Sequence, residues 1–265
     1  MAGSALLAAA CTPAAGGGAA PAAAPPPVGA RFDYQLGGAY DPGEGVAVVV
    51  RDSTAQPARG RYSVCYVNGF QTQPQERDRW LRDHPDLLLR DGSGEVLVDP
   101  AWPDEMLLDT STPQRRTRVV EAVAGTVEEC AAKGFDAVEF DNLDSYTRSG
   151  GALTAEDNAE TARRYVDLAH GLGLAAAQKN TAELAEVGRT EIGFDFAIVE
   201  ECARYAECAQ YTRVYGDRVL DVEYADGPAP SFEEVCADAD TPASTVLRDR
   251  ELLPADAAGH VRDHC

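Results

Sequence analysis

The stretch "GFDAVEFDNLDSY", residues 134–146, sets four carboxylates, Asp136, Glu139, Asp141 and Asp144, around a short apolar run. A run of this kind, bounded by Gly and polar residues, marks a core strand. Carboxylates there cost free energy unless they are solvated, paired or used. A pair of them suits glycosidic cleavage, in which one carboxyl protonates the leaving oxygen and the other attacks the anomeric carbon or activates water. Asp141, at the end of the run, is the first candidate. A second comes from Glu200 and Glu201 in "FDFAIVEECARYAEC". Alternation along a strand lets only one of the two face a barrel axis, and periodicity does not choose between them. Glu139 shares a face with Asp141, one layer lower, and reads as half of a buried ion pair with Lys179. Glu200, Asp144 and Glu223 are next in line for catalysis.

Other chemistries find little support. "HVRDHC" puts His260 and His264 at helical spacing beside Cys265, but no second cluster completes a zinc site. His84 and His170 lie in polar helical contexts and read as surface residues. No Gly-rich phosphate loop follows a strand, and "GSG" at 92–94 is a turn, not a nucleophile elbow. Neither a cofactor nor a metal is implied.

Strand-like runs fall at 46–50, 62–67, 105–108, 137–140, 174–178, 196–200, 219–224 and 244–248, alternating with helical patterns. Thr112-Pro113 opens a helix that runs to Lys133 and stops at Gly134. Thr154 opens another, and Ser231 with Glu234 makes a capping box. The long connection from Val67 to Glu105 should hold a helix around "PQERDRWLRDH". Strands alternating with helices imply a parallel sheet, and eight of them imply an α/β protein built as one (β/α)₈ TIM barrel. Most runs end in polar residues. In a barrel those ends converge on one face, where active sites form.

Residues 1–30 contain no charge and little but Ala, Gly and Pro, too poor a composition for a core. "SALLAAAC" resembles the end of a bacterial lipoprotein signal, with Cys11 as the lipidated residue. Thr12 to Ala30 would then be a flexible tether, leaving 31–265 as the barrel domain. The charge balance is 44 acidic to 23 basic side chains, net −21. That argues against nucleic acid and anionic membranes and favours cationic ligands. Six cysteines remain once Cys11 is set aside, an even count that reads as disulfides in an exported chain. Cys202–Cys208 and Cys236–Cys265 look like local staples. Cys65, on a strand, and Cys130, on a helix, are left to pair.

The motifs "FDYQLGGAY", "CYVNGFQTQP", "GFDAVEFDNLDSY", "LAAAQKN" and "FDFAIVEECARYAEC" followed by "VEY" resemble the endo-α-1,4-polygalactosaminidase family of glycoside hydrolases. The resemblance runs from Phe32 to the carboxyl terminus. It implies an exported TIM-barrel enzyme that cleaves α-1,4 linkages in partly deacetylated galactosamine polymers, with Asp141 and Glu201 as the catalytic pair. A deacetylated galactosamine polymer is cationic, in keeping with the acidic chain. Gln35, Asp52, Tyr66, Asp109, Asn142, Tyr146, Lys179, Glu223 and Arg248 lie at strand ends or in these motifs and are the expected substrate contacts. The reading is of a monomer, secreted or lipid-anchored at Cys11. Its rival is a non-catalytic surface lipoprotein that holds cationic polysaccharide in a barrel cleft.

Overall fold

The computed structural model describes residues 23–227 and 230–265. Eight parallel strands pair in chain order: β1 (Phe32–Gln35), β2 (Val48–Asp52), β3 (Tyr62–Asn68), β4 (Ala137–Asp141), β5 (Ala175–Lys179), β6 (Phe196–Glu200), β7 (Val219–Tyr224) and β8 (Ser244–Arg248). A short β9 (Arg262–His264) then pairs antiparallel with β8. The sheet curls until β8 meets β1, giving the TIM barrel that the alternation implies. Side chains hold that last seam. Arg248 Nη1 lies 3.0 Å from Asp33 Oδ1, and the same guanidinium donates to the Tyr34 carbonyl. Arg262 Nη1 meets the other Asp33 oxygen at 2.9 Å.

Period-two alternation sorts the strand residues into two cores. Phe32, Val50, Val64, Ala177, Ile198 and Val222 point inward and fill the barrel. Val138, Phe140, Ala176, Ala197 and Val199 point outward, against helices Pro113–Lys133, Ala155–Gly171 and Cys208–Tyr215. The first two of those helices start where the sequence says they should. The Thr112 side chain accepts from the Arg115 N–H, and Gly134 ends that helix at φ 90°. Thr154 with Asp157, and Ser231 with Glu234, form capping boxes. Helix Arg77–Asp83 fills the long connection after β3.

Two strand assignments change. "EMLL" at 105–108 is no barrel strand: Met106, Leu107 and Leu108 make only isolated bridges, to Val98, Gln71 and Leu88. Their apolar character serves a buried excursion over the top of the barrel. The missing strand is β1, whose Asp33 and Gln35 mask its strand character in the sequence. Asp33 is buried because Arg248 and Arg262 neutralise it, and Gln35 because it bonds Asp33 and Arg51. The His260–His264 spacing is not helical either, since His264 belongs to β9.

All three cysteine pairs are bonded: Cys65–Cys130, Cys202–Cys208 and Cys236–Cys265. Cys11 and the signal-like segment lie outside the described residues. The described part of the expected tether, 23–30, lies against the barrel floor. There Tyr62 Oη donates to the Ala24 carbonyl at 2.7 Å, and Ala23 and Ala30 pack on the inner core. Among the described residues no helix is long and apolar enough to cross a membrane.

Candidate active site

Three adjacent strands, β4, β5 and β6, deliver the charged centre. Each ends in a turn with a non-glycine residue at positive φ: Asn142 (65°), Asn180 (46°) with Thr181 (63°), and Glu201 (57°). Such backbone costs on the order of 1 kcal/mol or more per residue and clusters where the chain must aim side chains. On β5 the inward row Ala175, Ala177, Lys179 leaves space low in the barrel and places an amine at its mouth.

Lys179 Nζ sits 3.1 Å from Glu139 Oε1, 3.3 Å from Asp141 Oδ1 and 3.1 Å from Glu200 Oε2. Burial would lower its pKa, but Asp141, Glu200, Tyr34 and Glu139 together hold it well above the usual lysine value. Glu139 is the deepest of the three acids. Burial pushes its carboxyl up to about 7 in spite of Lys179 and a 2.8 Å bond from the Tyr34 hydroxyl. Burial also acts to raise Asp141, yet Lys179, the Tyr66 hydroxyl at 2.6 Å and the Asn142 N–H at 2.7 Å outweigh it. The Asp141 carboxyl therefore lies below its ordinary range, as a nucleophile or a charge stabiliser requires.

β6 settles which glutamate faces the axis. Phe196 and Ile198 point inward, so Glu200 follows them, and the Tyr224 hydroxyl donates to its Oε1. Glu201 is swung by its left-handed backbone to the cleft wall, where Arg250 grips both oxygens at 2.9 and 3.0 Å and Arg204 adds 2.5 Å. Burial would raise Glu201, but these two arginines hold it below the usual glutamate range. The adjoining apolar "FAIV" run adds to the desolvation that acts to raise it. The arginines reverse that.

A cleft of about 420 Å³ opens over this centre, with Tyr34, Tyr66, Asp141, Lys179, Glu200 and Tyr224 on its floor. Glu201 and Arg250 line one wall, Trp102 and Glu105 another. Of the expected substrate contacts, Tyr66, Asn142 and Lys179 line it, and Glu223 lines an adjoining recess beside Glu201. The others lie elsewhere. Gln35 bonds Asp33 and Arg51; Asp52 caps its own turn through Thr54; Asp109 pairs with Arg115; Tyr146 donates to Glu183; Arg248 holds the β1–β8 seam. The other carboxylates of the opening stretch also have partners: Asp136 accepts from the Ser63 N–H at 2.8 Å, and Asp144 pairs with Arg148. Among the described residues, Cys202, Cys208 and Asp221 form a grouping with metal-like spacing, but its two sulfurs are joined to each other.

The profile of glycoside-hydrolase family GH114 matches residues 13–265. The chain belongs to that family, and it is a glycoside hydrolase. No curated protein sequence matches it. Its fold is similar to that of Ega3 from Aspergillus fumigatus, solved in complex with galactosamine: TM-score 0.71 at 20% identity, covering 94% of this chain and 100% of that one. It is also similar to the glycoside hydrolase domain of PelA from Pseudomonas aeruginosa, with TM-score 0.56 at 12% identity over 87% of this chain and 97% of that domain. Within this GH114 cleft, Trp102, Glu105, Tyr224 and Arg250 are residues that the sequence did not single out. "AWPDE" held one available signal, a tryptophan amid Pro and acidic residues in a loop, where a large apolar side chain has no core to fill.

Proposed function

We propose that this GH114 enzyme is an exported, endo-acting hydrolase of α-1,4-linked, partly deacetylated galactosamine polysaccharide, with Asp141 as nucleophile and Glu200 as acid/base. One observation carries the catalytic pair: Asp141 and Glu200 share Lys179 at the cleft floor, 3.3 and 3.1 Å from its Nζ. The sequence resemblance gave the second role to Glu201. Glu201 lines the same cleft, but its two arginines favour the ionised form, which leaves it without a proton to hand to the leaving oxygen. Its proposed role is to fix Arg250, which stacks 4.2 Å over the Tyr224 ring behind Glu200.

In the first step Asp141 Oδ attacks the anomeric carbon as the glycosidic bond breaks. Glu200, in the acid role, gives a proton to the departing oxygen, leaving a glycosyl ester on Asp141 and a carboxylate on Glu200. Glu200 then takes a proton from water, whose oxygen attacks the same carbon and frees Asp141. Lys179 stays charged throughout and stabilises each carboxylate as it forms.

Three facts support the substrate class: family membership, the net charge of −21, and the fold shared with a protein solved with galactosamine. The test is incubation with purified galactosaminogalactan, followed by mass spectrometry of the soluble fraction. Oligosaccharides released by the enzyme and absent with Asp141→Asn support the reading. Binding without release would favour a carbohydrate-holding surface protein instead.

A further inference from the structure

Trp102 and Glu105 stand at the two ends of one tight turn on the cleft wall. The Glu105 N–H donates to the Trp102 carbonyl at 2.9 Å. Asp99 anchors the turn: its N–H donates to the Glu105 carbonyl at 2.9 Å, and its Oδ1 accepts from the Ala101 N–H at 2.8 Å. Asp99 is in turn fixed by Arg148 at 2.6 Å and Gln71 at 2.8 Å. So the wall is rigid, yet Trp102 is 60% exposed on it. A rigidly mounted, exposed indole facing a sugar-cleaving cleft is a stacking platform for a sugar ring.

Glu105 differs from its neighbours in the cleft. Glu139, Asp141 and Glu200 share Lys179, and Glu201 has Arg204 and Arg250. Glu105 makes no ion pair among the described residues. Its Oε2 accepts from Asn68 Nδ2 at 2.9 Å, and Asn68 Oδ1 accepts from Asn142 Nδ2 at 3.0 Å, beside Asp141. Burial, with Asp141 and Asp99 nearby, pushes the Glu105 carboxyl up to about 7. Arg148, the nearest protein cation to act on it, is held by Asp99 and Asp144, so a half-buried acid with no ion pair of its own, aimed by a neutral amide, suits a cation that arrives with the substrate.

Resting on the substrate reading above, we propose that Trp102 and Glu105 form a subsite for one 2-amino-2-deoxy sugar unit. The indole packs on the sugar face, and Glu105 Oε1 receives the free ammonium group. N-acetylation removes that charge, so this subsite sets the preference for deacetylated polymer. Asn68 positions Glu105 and links it to Asn142, the residue that follows Asp141.

The experiment is calorimetric binding, on full-length protein at pH 7, of α-1,4-linked galactosamine hexamers in fully deacetylated and fully N-acetylated forms. Glu105→Gln keeps an acceptor for Asn68 and removes the charge. It should weaken the deacetylated hexamer about tenfold, the size of one charge-assisted hydrogen bond, and leave the acetylated one within about twofold. Trp102→Ala should weaken both by similar factors, and Trp102→Phe should restore part of the loss. An equal loss on both hexamers with Glu105→Gln would reduce Glu105 to a structural brace and overturn the proposal, as would no loss on either. Binding needs no turnover, so a protein that cleaves neither polymer refutes the proposed function without deciding the subsite.

Discussion

Lys179 Nζ lies 3.3 Å from Asp141 Oδ1, and that contact fixes the nucleophile candidate to a buried amine at the barrel mouth. Glu139 and Glu200 lean on the same ammonium, so its removal leaves three acids without their cation. Breaking a buried charge network from one side costs about 3–5 kcal/mol. Lys179→Met should therefore lower the stability measured by urea unfolding at neutral pH by about that amount. A variant as stable as the wild type would show that the acids are held neutral or solvated instead.

The two glutamates at the end of β6 should separate in kinetics. Asp141→Asn and Glu200→Gln should each lower kcat by on the order of 10³-fold, in the range for losing a nucleophile or a general acid/base. Glu201→Gln frees Arg250 and Arg204 from their anion and should mainly raise KM. Steady-state kinetics on a defined galactosamine oligomer checks this. A Glu201→Gln enzyme as inactive as Glu200→Gln would return the acid/base role to Glu201.

How far these residues were legible depended on whether local pattern or long-range placement decided them. Asp141 was legible because an apolar run ends on it. The same holds for Lys179, and for the three helix caps, whose signals are local. Glu200 against Glu201 was not, because Phe196-Ile198 and Ala197-Val199 are equally apolar, and a left-handed turn at 57° just past the strand brings Glu201 to the cleft as well. β1 was hidden by Asp33 and Gln35, which are buried only because arginines 215 and 229 residues away in sequence from Asp33 reach back to the first of them. Glu105 and Trp102 belong to an irregular excursion between β3 and β4, and nothing local says that it folds over the barrel mouth. The disulfides were readable from count and spacing, and Cys65–Cys130 ties β3 to the helix before β4. By the loop-closure argument that crosslink contributes about 4 kcal/mol.

Glu139 makes a prediction about pH and stability. Its carboxyl rises from the usual 4.5 to about 7 on folding, with burial as the main cause. Between those values the unfolded chain has lost a proton that the folded chain keeps. Stability then falls as pH rises through this window: the contribution is fully present below 4.5 and is lost as pH passes 7. Glu139→Gln keeps an acceptor for Tyr34 and removes the titration, so the fall in Tm between about pH 5 and pH 8 should flatten. Glu105 adds a second slope of the same sign, which the single variant leaves in place. An unchanged pH profile would mean that Glu139 is already ionised in the fold throughout that range.

The shared lysine bears on the stereochemistry of cleavage. Asp141 Oδ1 and Glu200 Oε2 lie 3.3 and 3.1 Å from one nitrogen, so these two oxygens can be no more than 6.4 Å apart. Inverting enzymes hold their carboxyl groups about 6.5–9.5 Å apart to seat a water between acid and sugar, whereas retaining enzymes hold them about 5–5.5 Å apart. A pair drawn together on one ammonium favours the shorter, retaining spacing, and Asp141, whose carboxyl Lys179, Tyr66 and the Asn142 N–H hold below its ordinary range, is prepared for attack. Cleavage of an α-linked substrate should therefore release an α-configured reducing end first, with the β form growing in only by mutarotation. Proton NMR of the anomeric signals during the first minutes of reaction reads this directly. Glu200→Gln should slow both steps but recover part of the second when azide is supplied, because a small anion can attack the Asp141 ester without a base. A β product at the earliest time points would require a water between the two carboxyl groups, and would move the second catalytic group to a residue farther from Asp141, with Glu201 the first to examine.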